Sequence, residues 1–187
     1  MDRPGYFWPA YLFVRKLGSG LQLWKPTRNL PPKTANLEII ECTRGDYQIS
    51  TDRDRLDLHV IHDYLSNHSY WAKGIPFEIV QRSVAHSLCF GVYHGAQQVG
   101  FARLITDYAT IAYLGDVFVL PAHRGQGLSK WLMETMVSHP DLQGFRRWLL
   151  ATADAHGLYG QYGFTSLANP DRWMERHIPN VYQQKRD

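Results

Sequence analysis

From residue 37 onward the hydrophobic positions change period several times, and each change predicts an element. The run LEIIECT, residues 37–43, is apolar and β-leaning and predicts a first strand. Leu56, Val60, Ile61, Tyr64 and Leu65 then recur at helical spacing, with Asp52 or Thr51 placed to cap the helix start. Pro76 stands where a first helical turn tolerates proline, and Ile79, Val80 and Val84 share a face of a second short helix. SLCFGVY and QVGFARLIT flank the turn-forming HGAQ as an antiparallel hairpin, and TIAYLGDVFVL adds a further strand. Beyond Pro121, the residues Leu128, Trp131, Leu132, Met136 and Val137 form one apolar stripe of a helix that ends before Pro140. WLLAT predicts another strand, HGLYGQY a short helix and FTSL a closing strand.

That order predicts a single α/β domain with a mixed, mostly antiparallel central sheet and helices on both faces. Residues 1–36 show scattered Pro and Gly and no sustained period, so they read as a poorly ordered extension to a domain of residues 37–187. Their apolar run YFWPAYLFV is too short to span a bilayer, and Arg15 and Lys16 follow it, opposite to a secretory signal. A membrane-surface anchor through those aromatics is the less favoured alternative.

Composition narrows the function. With 187 residues, 44% hydrophobic and 20% charged, the chain matches a soluble globular domain that needs no staple, and it gives no sign of a membrane span. The net charge of +3 is unevenly spread: residues 1–37 hold six basic and one acidic residue, leaving fourteen basic against sixteen acidic. A folded part without basic excess argues against nucleic acid as a partner. Cys42 and Cys89 each sit inside an apolar strand-like run, which fits buried reduced thiols and a cytoplasmic setting.

One segment carries chemistry. A strand runs into His123-Arg124-Gly125-Gln126-Gly127-Leu128-Ser129-Lys130 and then into a helix. The first turn of a helix leaves N–H groups without partners and carries partial positive charge, so a pyrophosphate is favoured there. Gly125 and Gly127 let the anion approach the main chain, Arg124 and Lys130 add charge, and Ser129 offers a hydroxyl. The Walker spacing is missing, and so is a full GxGxxG followed by a ribose-binding acid, which removes ATP and NAD.

Arg124, Gly127 and Ser129 resemble the signature of the GNAT superfamily of N-acetyltransferases: Arg or Gln, two residues, Gly, one residue, then Gly or Ala. Further on, ADAHGLYGQYGF is similar to a second segment of that family, matching at Ala155, Leu158, Tyr159, Gly163 and Phe164. Two positions depart from the pattern: Ser129 stands for a Gly or Ala, and Thr152 for the usual Asn.

The resemblance implies a GNAT-like fold over about residues 37–167, acetyl-CoA as acyl donor and an amine acceptor. It also implies that the strand of residues 114–120 splays from that of residues 148–152, with Val117, Phe118 and Val119 clasping pantetheine and residues 124–130 holding the pyrophosphate. A main-chain N–H near Val117 or Phe118 would then polarise the thioester carbonyl. Tyr159 matches the family tyrosine that protonates the departing sulfur, and a buried packing role is its alternative. Asp116 is the candidate base, because an acid inside YLGDVFVL needs a task or a partner; a structural hydrogen bond is the competing reading. Tyr70 and Trp71 fall where the fold places its acceptor wall, with Tyr108 and Tyr113 across the sheet and core packing as the alternative.

His156 and Asp107 are weaker proton-relay candidates. His59 and His62 stand three apart without a cluster to complete a coordination set, so no metal is expected. The expected chemistry is direct attack of a primary amine, of a small molecule or peptide, without an acyl-enzyme. A non-catalytic acyl-CoA sensor is the rival, and a homodimer is left open.

Overall fold

The computed structural model describes residues 38–183 and, as backbone alone, residues 14–17 and 20–23. The chain divides into two compact units, Met1–Glu38 and Ile39–Asp187. In the first, β1 (Val14–Leu17) and β2 (Gly20–Leu23) pair antiparallel, a ladder too short to impose a period on the sequence. The rest of the expected loose extension lies outside the described residues.

The second unit holds six strands in sequential order: β3 (Glu41–Arg44), β4 (Tyr47–Ser50), β5 (Leu88–His94), β6 (Gln97–Thr106), β7 (Ile111–Val119) and β8 (Arg147–Leu150). All neighbours are antiparallel except β7 and β8, which run parallel. On one face pack α1 (Leu58–Asp63), which continues into a π-helical turn (Tyr64–His68), and α2 (Phe77–Ala85). On the other lie α3 (Leu128–Val137) and the short α4 (His156–Gly160).

Strand alternation explains why both faces are dry. Leu88, Phe90 and Val92 of β5 face Leu132, Met133 and Met136 of α3, whereas Cys89 joins Phe101, Phe118, Ile61 and Val80 on the other face. Cys89 and Cys42 are both free thiols, Cys89 buried and Cys42 half-buried.

Four local readings need correction. The predicted first strand begins later and turns back on itself: Gly45, at φ 58°, and Asp46 form a two-residue turn between Arg44 and Tyr47. The first helix starts at Leu58, because Asp57 accepts hydrogen bonds from the N–H groups of His59 and Val60 at 2.9 and 3.2 Å; Asp52 caps a 3-10 turn instead. The WLLAT strand stops at Leu150, which frees Ala151 and Thr152 for the site below. FTSL is irregular: after Gly163, at φ 82°, the Phe164 N–H returns to the Tyr159 carbonyl at 3.3 Å and closes the end of α4.

Candidate active site

The glycine turn before α3 is built by backbone geometry. Gly125 and Gly127 have φ of 78° and 73°, and nothing lies within 4 Å of where a Cβ would stand on either. Their requirement is the left-handed backbone, and the space beside them stays open. Gly127 is the N-cap of α3 and supplies no side-chain cap, so the N–H groups of Leu128, Ser129 and Lys130 are left without helical partners. The Arg124 side chain turns the other way: Nε donates to the Val119 carbonyl and Nη2 to the Tyr64 hydroxyl, both at 3.0 Å. Tyr64 in turn stacks on Phe118 with ring centroids 4.0 Å apart. Arg124 thus ties the turn to the end of β7 and to the π-helical turn.

The parallel pairing of β7 with β8 ends at Leu114 and Leu150, while β7 continues against β6 to Val119. Residues 115–119 therefore present an edge with no strand partner on the β8 side. Within it the β6 register jumps between Gly115 and Phe118, and Asp116 takes φ 55°, a bulge that re-aims its side chain. The Asp116 carboxylate is gripped at both oxygens, by Arg103 Nε at 2.5 Å and by Trp71 Nε1 at 3.1 Å. The Arg103 and Asp116 side chains are only 17% and 10% exposed, so each charge depends on the other.

Residues 69–75 cross the mouth where β7 and β8 part. The Tyr70 hydroxyl accepts from the Ala153 N–H at 2.8 Å, just past β8, while Trp71 reaches Asp116 on β7. The two rings stand nearly perpendicular, 85° at 4.9 Å. The root of this strap is anchored by buried Ser69, which donates to the Leu65 carbonyl at 2.6 Å and accepts from the Ala72 N–H at 3.1 Å.

Tyr159 lies beside the same mouth, in a cleft of about 450 Å³ shared with Leu150, Thr152 and His156. Burial pushes its phenol up to about 12, with Tyr70 and Asp154 adding to the effect. Thr152, at the position where the resembling family has Asn, accepts from the Ala155 N–H at 3.0 Å at the start of α4.

Tyr70, Trp71, Asp116 and Tyr159 are thereby brought to one mouth, and half-exposed Tyr113 lies on the same sheet face, opposite Ile105. Tyr108 is not brought there. Asp107 accepts from the N–H groups of Ala109, Thr110 and Ile111, and the turn so fixed directs Tyr108, at φ 57°, against the α3-side core. Hydrogen bonds from Thr110 foremost hold the Asp107 carboxyl far below the usual range, so it is committed to the turn. His59 and His62 pack on Phe77, and no group of three His, Cys, Asp or Glu able to hold a metal occurs among the described residues. Nor is any described helix long and apolar enough to cross a membrane. Arg103 escaped the sequence reading; its signal was a charge in the apolar run QVGFARLIT, thirteen residues from an equally isolated acid in the next strand.

The comparisons point the same way. A family model, Acetyltransferase (GNAT) domain, matches residues 85–166. A Gibberella zeae protein named as an acetyltransferase is 34% identical over 141 residues, covering 64% of this chain and 78% of its own. A crystal structure from Xanthomonas campestris pv. campestris, of a protein named as a GNAT-family acetyltransferase, is 56% identical and superposes with a TM-score of 0.73 over 74% of this chain and 97% of that one. A GNAT-family protein of Streptococcus pneumoniae, 23% identical, shares the fold with a TM-score of 0.55 over 72% of this chain and 97% of its own. The mixed six-stranded sheet agrees with these likenesses: the chain belongs to the GNAT family of acetyltransferases.

Proposed function

We propose that the protein transfers an acetyl group from acetyl-CoA to a primary amine, of a small molecule or peptide, by direct attack through a tetrahedral intermediate. The observation that carries this reading is the parting of β7 from β8 beside an uncapped α3 N-terminus, with a buried tyrosine at the same mouth.

The residues suit acetyl-CoA, which supplies the activated acyl group. The turn of Arg124, Gly125, Gln126, Gly127, Leu128, Ser129 and Lys130 offers unpaired N–H donors and an unfilled approach to the main chain, as a pyrophosphate requires. The open β7 edge at Val117, Phe118 and Val119 can pair with an extended amide-bearing arm as a strand would, and a main-chain N–H there stabilises an oxyanion. Of these groups the Val119 carbonyl is already held by Arg124, which leaves its N–H for the ligand.

In this reading Asp116 draws the amine in as an ammonium and takes its proton, while Tyr70, Trp71 and Tyr113 form the apolar wall that excludes water. Tyr159 donates its proton to the departing sulfur, and a phenol kept neutral by burial is in the right form to do so.

Calorimetric titration of the full chain with acetyl-CoA tests the first half without knowledge of the acceptor. One saturable site, weakened at least tenfold by Gly127→Val because a β-branched residue resists positive φ, is the expected result. Absence of binding by the folded protein would remove the cofactor, and an amine screen on a binding-competent protein tests the transfer.

A further inference from the structure

β8 is the last strand of its sheet, and among the described residues its outer side pairs with nothing. Unpaired edges of apolar strands invite another strand, and proteins ordinarily cover or charge them. Here two clefts lie along that edge. The first, about 750 Å³, spans the start of β8; the second, about 450 Å³, reaches Tyr159. They share Trp148, Leu149 and residues 164–167, so they form one groove running the length of the strand.

The groove is electrically polarised. Arg146, Arg147 and Arg172 line its far end, and no Asp or Glu lines either cleft. Among the described residues none of these three side chains enters a salt bridge or a hydrogen bond; Arg147 only lies over the Trp173 ring, 4.7 Å from its centroid. At the Tyr159 end the charge nearby is acidic, with Asp154 beside the phenol, while Asp116 across the mouth is paired with Arg103. A ligand matching both ends carries a cation at the mouth and anions at the arginines. From Arg147 to Thr152 the distance is about 17 Å along an extended strand, roughly five residues.

We propose that this groove docks the acceptor as an extended acidic peptide, added antiparallel to β8, with its free amino terminus at Tyr159 and acidic side chains about five residues downstream against Arg146, Arg147 and Arg172. Main-chain pairing supplies affinity that is indifferent to side chains, and the arginines supply the selection. Leu149, half-buried on the edge strand, meets apolar side chains at the alternate positions. The assignment of this peptide as acceptor rests on the transferase reading above, while the docking itself does not.

Three hexapeptides with free amino termini and a fluorescent C-terminus test it against the full chain: one with two Glu at positions 5 and 6, one with two Lys there, and one with the Glu pair moved to positions 1 and 2. Anisotropy without acetyl-CoA reads binding, and mass spectrometry with acetyl-CoA reads acetylation. The first peptide is expected to bind about tenfold tighter than the others, with Arg146→Glu/Arg147→Glu reversing the preference for Lys, as exposed charge pairs summed over two or three contacts allow. The milder Arg147→Gln, at an exposed position, reduces the preference without a folding penalty. Equal affinity for all three peptides overturns the proposal. So does a stable dimer whose β8 amides are protected from exchange without peptide, which would make a second copy the occupant. Acetylation of simple amines but never of the bound peptide overturns its role as acceptor. Selective binding with no turnover of any amine instead strikes the transferase reading and leaves the groove as a docking site.

Discussion

The glycine turn before α3 and the strap over the mouth are both glycine- or aromatic-rich loops at the ends of regular elements, yet they are held in opposite ways. The turn of residues 124–129 draws its shape from two glycines at positive φ and the start of α3, all within a few positions of sequence. The strap of residues 69–75 draws its shape from Asp116, Arg103 and Ala153, which belong to three other segments. In the proposed reading, the site for an invariant phosphate is built locally from backbone, and the site for a variable acceptor from side chains that meet only in the folded chain.

Breaking the chemistry common to both should cost most. Tyr159→Phe keeps the ring's packing and removes the proton, so kcat should fall about a hundredfold to ten-thousandfold while acetyl-CoA binding by calorimetry is unchanged. Unchanged turnover would take the acid role away from Tyr159, and a protein that binds cofactor yet turns over no amine in either form would be a sensor.

Next in size is Arg103→Leu, which leaves the Asp116 carboxylate with little solvent and no cation. A stability loss of about 3–5 kcal/mol is expected from denaturant melts. Arg103→Leu/Asp116→Asn should recover much of it, and a double variant no better than the single would show that the pair does not hold the bulge.

Alkaline pH should weaken the core. Burial lifts Cys89 from its usual 9.0, and Tyr93 and Tyr159 from 10.0, to about 12. With folded values above unfolded ones, the neutral forms stabilise the fold fully below about pH 9, and that contribution disappears as pH rises from 9 toward 12. A melting temperature that stays level across that window would contradict the burial of these groups.

The smallest effect belongs to Trp71→Phe, which keeps an aromatic wall and removes one hydrogen bond to Asp116. A roughly threefold rise in acceptor KM with unchanged acetyl-CoA affinity is expected, because the wall is partly exposed. An equal change in both constants would mean that the strap and the turn are not separable.

The same contrast explains what the sequence made legible. Apolar stripes on α3 and β5, and the glycines at 125 and 127, encode their structure in neighbours along the chain, so helix, strands and turn could be read directly. Asp116 stood out as an acid in an apolar strand and Arg103 stands as a charge in another, but nothing along the chain pairs them with each other or with Trp71, since those contacts span 13 and 45 residues. The four-residue strand β4 escaped notice because one turn of alternation is no pattern, and FTSL misled because Phe164 is apolar for packing on Trp148 and Tyr159 rather than for pairing. Arg124 was legible as part of a motif, and its side-chain role was not: its contacts are Val119 and Tyr64 rather than the open turn.

That tether joins two loops otherwise described apart. Through Nη2 of Arg124 the glycine turn is connected to Tyr64, the first residue of the π-helical turn from which the strap springs. The expected consequence is kinetic: if the turn settles around a phosphate as proposed, the tether steadies the root of the strap before any amine arrives. The donor is therefore expected to enter first and the acceptor second, so that substrate addition is ordered by a single arginine some distance from the bonds that change.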